Sequence, residues 1–348
     1  MRPAIWKSRR GMTLPELLIV VAIIGLLAVT VLPALATTSE ARRSRETARL
    51  VSGYCARAQG AAIGQPDWTG LMIMPTGSAA LAFDLRLARV PVPYTGAVLN
   101  AQLAVQTGTA TTGSTNGALP ASACPVASGT TATTSPLELS DIATASVTSG
   151  DMIQFDGAGP LYEVTTITTG TVQFRIRESG SNSAGFSTVN QPWPAATPAT
   201  HAFEIFRQPV PKGQPFEIPN GRVIDLNWSG YGPSNDPNAT SYTALQSAVG
   251  QTVSIVFDST GRMRLIMRGS TRVTPQHAVY LLVGRPDRVG NTYAATLSPT
   301  DDSLGANWQY ADSWWIAIDP LTGTVRSAEC RPNSVTVTGS QKFIREQL

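Results

Sequence analysis

In "RRGMTLPELLIVVAIIGLLAVTVLP", residues 9–33, Glu16 sits at the mouth of an otherwise apolar run that starts directly after two arginines and Gly11. A charged group in hydrocarbon costs about 2.5–3.5 kcal/mol on the mildest insertion scales, so something must use this carboxylate. Elsewhere the residues that do chemistry are sparse. Two histidines, His201 and His277, leave little material for a metal site or an imidazole base, and no GxSxG, HExxH or P-loop pattern occurs. The carboxylates of Asp258, Asp301, Asp302 and Asp319 lack EF-hand spacing, and aspartates of this kind form turns without a metal. No catalytic residue, metal or cofactor is expected, and the chain reads as something other than an enzyme; an anchored exported enzyme of unknown chemistry is the remote alternative.

Two further sets of residues matter. The three cysteines, Cys55, Cys124 and Cys330, are odd in number and lack CxxC spacing. A disulfide from Cys124 to Cys330 is one arrangement open to them in an oxidising compartment, whereas Cys55 falls in a helical pattern and reads as a small buried apolar residue. Arg262, Arg264, Arg268 and Arg272 are all even-numbered. If one strand runs through at least Arg262 to Arg268, they share its outer face, and a row of guanidinium groups there would suit the phosphates of DNA. Outer strand faces are often charged for other reasons, and no aromatic residue interleaves here to stack bases.

The elements that must position these residues follow from composition and period. Only 14% of the 348 residues are charged, the net charge is +3, and the abundance of Thr, Ser, Ala, Gly and Pro is that of an exported β-rich protein rather than a cytosolic enzyme. Residues 1–10 carry Arg2, Lys7, Arg9 and Arg10 without an acid, a flank that holds an N-terminus in the cytoplasm. From Leu17 to Ala36 no charge interrupts the sequence; as a helix this is roughly 30 Å, the thickness of a hydrocarbon core. A membrane-spanning segment is expected over about 14–36. Ala34 and Ala36 also offer an A-x-A site for ordinary signal cleavage, which would leave Glu16 unexplained.

The arrangement of basic leader, Gly11, Met12, "TLPE" and apolar run resembles the type III signal of type IV pilins and of the pseudopilins of type II secretion. The resemblance implies cutting by a prepilin peptidase between Gly11 and Met12 and methylation of the new Met12 amine, Met12 standing where many members have phenylalanine. It also implies that Glu16 pairs with the N-terminal amine of a neighbouring subunit, and that Pro33 takes the place of a helix-bending proline. The partners it implies are the peptidase, other pilin or pseudopilin subunits and inner-membrane lipid, with no small-molecule substrate. The location is the bacterial inner membrane, single-pass, N-terminus cytoplasmic and head periplasmic, and then a filament.

Beyond the membrane the helical pattern continues. Ala48, Val51, Cys55, Ala58 and Ala62 form a stripe of small residues, while Arg42, Arg45 and Arg49 lie on another face with Glu46 in reach of Arg42 and Arg49. Gly60, Gly64 and Pro66 end the pattern near Ala62. Later residues alternate in short runs between turn formers. The expected fold class is therefore α+β: leader 1–11, helix 12–62, and an antiparallel β-rich head over 63–348 with a Thr/Ser/Gly-rich insertion at about 95–150. Residues 107–136 read as an irregular loop, 151–178 as three strands, Asn220-Gly221 as a hairpin turn, and 253–269 and 313–330 as hairpins. The phrases "VFDSTGRM" and "AIDPLTGTVRSAEC" resemble the C-terminal strands of minor pseudopilins related to the type II secretion H subunit and FimT-like minor pilins. Some FimT-like members are associated with DNA uptake through basic residues. Together with 25 prolines and the insertion, this makes a minor structural subunit the expected function, with a DNA-binding minor pilin as the alternative.

Overall fold

The computed structural model describes residues 14–96, 102–106, 126–128, 147–168, 171–176, 200–232, 242–246, 250–269, 271–297 and 303–347. In chain order, helix α1 (Leu14–Ala62) is followed by β1 (Thr69–Pro75), β2 (Leu81–Arg89), β3 (Gln102–Gln106), β4 (Val126–Ser128), β5 (Met152–Phe155), β6 (Ala158–Thr168), β7 (Thr171–Ile176) and β8 (Thr200–Phe206). Then come β9 (Val210–Glu217), β10 (Val223–Tyr231), β11 (Thr243–Ala244), β12 (Val253–Phe257), β13 (Met263–Arg268), β14 (Thr271–Val273), β15 (Val279–Gly284), β16 (Trp314–Ile318) and β17 (Val325–Glu329). Two single-turn helices, Val337–Ser340 and Lys342–Arg345, follow.

These strands form two separate structures. The larger is an antiparallel sheet in the order β14-β13-β12-β1-β2-β10-β15-β16-β17, with β11 on β10 and β9 on β2. Its central strands are close-packed on both faces, and β12 and β15 are buried throughout, Ser254 included. On one face Val51, Cys55, Ala58 and Ala62 of α1 pack against Leu71, Ile73, Ile255, Leu281 and Ile316. Small helix residues let the helix lie close to the sheet. On the other face Trp228, Trp308 and Trp315 pack with Val337 and Ile344 of the C-terminal turns.

The second structure is a closed barrel, β3-β4-β7-β6-β5-β8, inserted between β2 and β9. Phe155, Tyr162 and Phe174 fill it, with ring centroids 5.1–5.7 Å apart. The three strands expected over 151–178 are β5, β6 and β7, and Asp156 and Gly157 make the first turn with φ of 54° and 62°; the second expected turn, at residues 169–170, lies outside the described residues. Residues 126–128, expected within an irregular loop, instead form β4, which pairs with both β3 and β7 and so helps close the barrel. Nothing in three small residues announces such a strand; its partners supply the reason for it.

Asn220 and Gly221 turn the chain with φ of 62° and 63°, yet no hairpin results. The flanking strands divide β2 between them instead: β10 pairs with Leu81 and Ala82, and β9 with Asp84 to Arg89. The hairpins β12–β13 and β16–β17 are present, with registers running from Val253↔Arg268 to Phe257↔Met263 and from Trp314↔Glu329 to Ile318↔Val325.

Candidate assembly surface

Helix α1 has two unlike halves. Described side chains of the first half, among them Leu14, Leu17, Leu18, Ile19, Val21, Ile24 and Leu26, are exposed in the isolated chain, an apolar surface that water does not favour. Among the described residues no helix is long and apolar enough to cross a membrane; the side chains of residues 16 and 27–39 lie outside them. Glu16 and Pro33 are thus located on α1 by backbone alone, and Gly11 and Met12 lie outside the described residues.

The second half is fastened to the head at three heights. Near Glu40, the buried Arg222 donates from Nη2 to a Glu40 carboxylate oxygen at 2.5 Å and to the Glu40 carbonyl at 3.2 Å. Arg222 is 2% exposed; burial pulls its pKa below the ordinary arginine value, opposed by the charges of Asp312 and Glu40. Asp312 lies 4.0 Å from Arg222 and 2.6 Å from Arg288, and the Arg288 guanidinium stacks 3.7 Å over the Tyr310 ring. About two turns further on, Thr47 donates its hydroxyl to the Pro219 carbonyl and accepts from the Asn220 amide. At the far end Gln59 donates to the carbonyls of Gly261 and Thr322, tying together the turns of both hairpins.

Those turns use their aspartates internally. Asp258 accepts from the backbone N–H groups of Thr260 and Arg262 and from the Thr260 hydroxyl, and Asp319 accepts from the N–H groups of Leu321 and Thr322. Although partial burial of Asp258 pushes its pKa up, the Thr260 and Arg262 hydrogen bonds outweigh it and hold the pKa low. Asp301 and Asp302 lie outside the described residues, among which no group of three metal-ligating side chains occurs.

The four head arginines do not make one row. Val256 pairs with Leu265 and Phe257 with Met263, so a bulge inserts Arg264 between them and inverts the alternation that the sequence implies. Met263 and Ile266 face the helix side, and Leu265 and Met267 the opposite side with Trp68. Arg264 stacks 5.6 Å over the Trp68 ring. Arg272, opposite Met267, is on that same side, and its pKa is lowered by burial and then by the Arg264 charge. Arg268, opposite Val253, turns to the helix side and donates to the Ala244 carbonyl at 2.6 Å. Arg262 is exposed in the turn. The structure therefore brings Arg264 and Arg272 together and separates Arg268 from them.

His201, 3% exposed, lies 2.6 Å from Asp156 across the barrel turn. Cys55 and Cys330 are free, buried thiols, the first pushed up to about 12 and the second also raised, in each case by burial; Cys124 lies outside the described residues.

Composition gave no sign of Asp225, a fully buried carboxylate on β10 whose pKa burial pushes up to about 7 against hydrogen bonds from Asn307 and the Asn227 N–H. Between pH 4 and 7 the folded chain holds this proton while the unfolded chain has lost it, so stability falls as pH rises through that window and levels off above it. Urea denaturation at intervals from pH 4.5 to 8 is expected to show this fall, and Asp225→Asn to flatten it; an equal slope in the variant would refute the assignment.

A family model described as a prokaryotic N-terminal methylation motif matches residues 6–32. No curated protein matches the chain, and no solved structure does.

Proposed function

We propose that the chain is a structural subunit of the type IV pilin or pseudopilin class, a minor one, that assembles through α1 into a type II secretion pseudopilus or pilus-like filament. The methylation motif at residues 6–32 carries this reading. That motif is a prepilin peptidase signal, so the peptidase and other pilin-type subunits are the partners, and membrane anchoring and export are the route. In this reading the peptidase cuts between Gly11 and Met12 and the Met12 amine is methylated. Glu16 then pairs with the amine of the next subunit, an ion pair that offsets the burial of both charges. The exposed leucines and isoleucines of the first half of α1 supply apolar surface first for lipid and then for neighbouring helices. Since each subunit uses different patches above and below, the contact is heterologous and grows into a helix instead of closing.

The anchoring of α1 supports the same reading. Arg222, Thr47 and Gln59 hold the second half of the helix to the head at three heights, so the first half can project as a stem carrying the head on the outside. No pair of residues described above combines a nucleophile with a base, and we propose no catalytic activity.

Intact mass and N-terminal sequencing of the protein from membranes of cells with and without a prepilin peptidase test this. The expected mature chain begins at a methylated Met12 only where the peptidase is present, and Glu16→Ala is expected to be processed yet not incorporated into filaments. A chain beginning after Ala36, or an uncut one in both strains, would overturn the proposal.

A further inference from the structure

The second half of α1 and the edge strand β17 run side by side. At one end Gln59 donates to the carbonyl of Thr322, in the turn before β17, at 2.9 Å. At the other, Arg42, Arg45 and Arg49 line a groove with Ser327, Ala328 and Glu329. The separations agree, since fourteen residues of helix from Gln59 to Arg45 and seven of strand from Thr322 to Glu329 each span roughly 21–24 Å. The groove between them has a volume of about 910 Å³, with Trp314 and Phe343 among its walls.

Two independent features of this groove are left unmet. The first is backbone. Asp319 donates to the Thr324 carbonyl and Cys330 to the Ser313 carbonyl; even-numbered residues of β17 therefore bond to β16, and Val325, Ser327 and Glu329 aim their N–H and C=O groups away from it. β17 ends the sheet, and among the described residues no strand pairs with its outer side. The second is charge. Arg42, Arg45 and Arg49 are exposed and make no ion pair among the described residues; Glu46, expected to serve them, makes none either, and the adjacent Arg43 pairs with Glu40. On the facing wall Glu346 is already paired with Lys342 at 3.8 Å, which leaves Glu329 as the other carboxylate among the residues that line the groove.

We propose that the groove is a docking site for an extended acidic segment of a second protein chain, which adds to β17 as a further strand and turns carboxylates at alternate positions toward Arg42, Arg45 and Arg49. The spacing fits. Arg42, Arg45 and Arg49 step along the helix by about 4.5 and 6 Å, and alternate residues of a strand are about 6.8 Å apart. Residues of the added strand between those carboxylates face Ala328 and Phe343, so an acidic-apolar alternation is the matching sequence. Main-chain bonding supplies affinity and the arginines supply selectivity, as in other strand additions at a sheet edge. This inference does not depend on the cutting of the leader.

The test uses the full chain in neutral detergent micelles and a labelled synthetic peptide of alternating glutamate and valine, followed by fluorescence anisotropy. Saturable binding is expected, weakened at least tenfold by Arg45→Glu and by raised salt, lost when alternate peptide nitrogens are methylated, and absent for a lysine-valine peptide. Four results would each overturn the proposal: no binding at millimolar peptide, binding indifferent to Arg45→Glu, undiminished binding of the methylated peptide, or a groove that responds only to anionic lipid or to a second copy of the chain. The methylated peptide leaves the protein unaltered, so a folding defect in the variant cannot imitate the expected result.

Discussion

Gly70→Ala is expected to destabilise the head by more than about 3 kcal/mol, a large part of the roughly 5–15 kcal/mol that holds a domain of ordinary stability together. Gly70 lies in β1 between Val256 of β12 and Ala88 of β2. A Cβ there would sit 2.1 Å from the Ile255 carbonyl oxygen and 2.8 Å from the Val256 Cα. Both are backbone atoms, so no rotamer change relieves the overlap and the sheet must part at its centre. Gly53→Ala on α1 is the matched control, because its Cβ would meet nothing within 4 Å and alanine is favoured over glycine in a helix by about 0.5–1 kcal/mol. Chemical denaturation followed by circular dichroism should therefore move the two variants in opposite directions. A Gly70→Ala protein as stable as the parent would show that β1 and β12 do not meet in this register.

Asp312→Ala is expected to cost about 3–5 kcal/mol, the usual penalty for breaking a buried ion pair by removing one of its members. Two buried guanidiniums, Arg222 at 2% and Arg288 at 1% exposure, lie 4.0 and 2.6 Å from this carboxylate. Arg222 in turn holds Glu40, so the loss should spread to the helix: hydrogen exchange in residues 40–47 of α1 should quicken more than exchange in β1 or β12. Asp312→Glu, which keeps the charge, should recover part of the stability. Equal exchange along α1 in parent and variant would mean that Arg222 does not fasten the helix.

The sequence made plain those features whose causes are local. The stripe from Ala48 to Ala62 is buried against the sheet because a helix repeats every three or four residues and close approach selects small side chains. The β12–β13 and β16–β17 hairpins were readable because Asp258, Gly261, Asp319 and Gly323 bring their own turn chemistry. What was hidden depends on partners remote in sequence. The bulge at Arg264 arises from the register against β12, and it takes Arg268 off the face that it was expected to share with Arg264. β4 exists because β3 and β7 flank it. Arg222 and Asp225, the buried charges nearest the turn at Gly221, looked like ordinary polar residues of a strand until the elements packed around them were known. Of the candidate assembly surface, the methylation motif at residues 6–32 was legible because a processing signal is a linear pattern, whereas the β17 groove is built from residues nearly three hundred positions apart.

The place where the barrel joins the sheet has a consequence for how this chain can change. Arg89 at the end of β2 pairs with Val210 at the start of β9, so the insertion leaves and returns through neighbouring positions, about 5 Å apart in such a ladder. The barrel between those two strands has its own aromatic filling, and among the described residues it supplies none to the layer that grips α1. The barrel can consequently diverge, be exchanged or be deleted by a lineage while α1 and its fastening stay under their own constraints. A helix gripped by its sheet and a barrel inserted into that sheet can be inherited on separate terms within a single polypeptide.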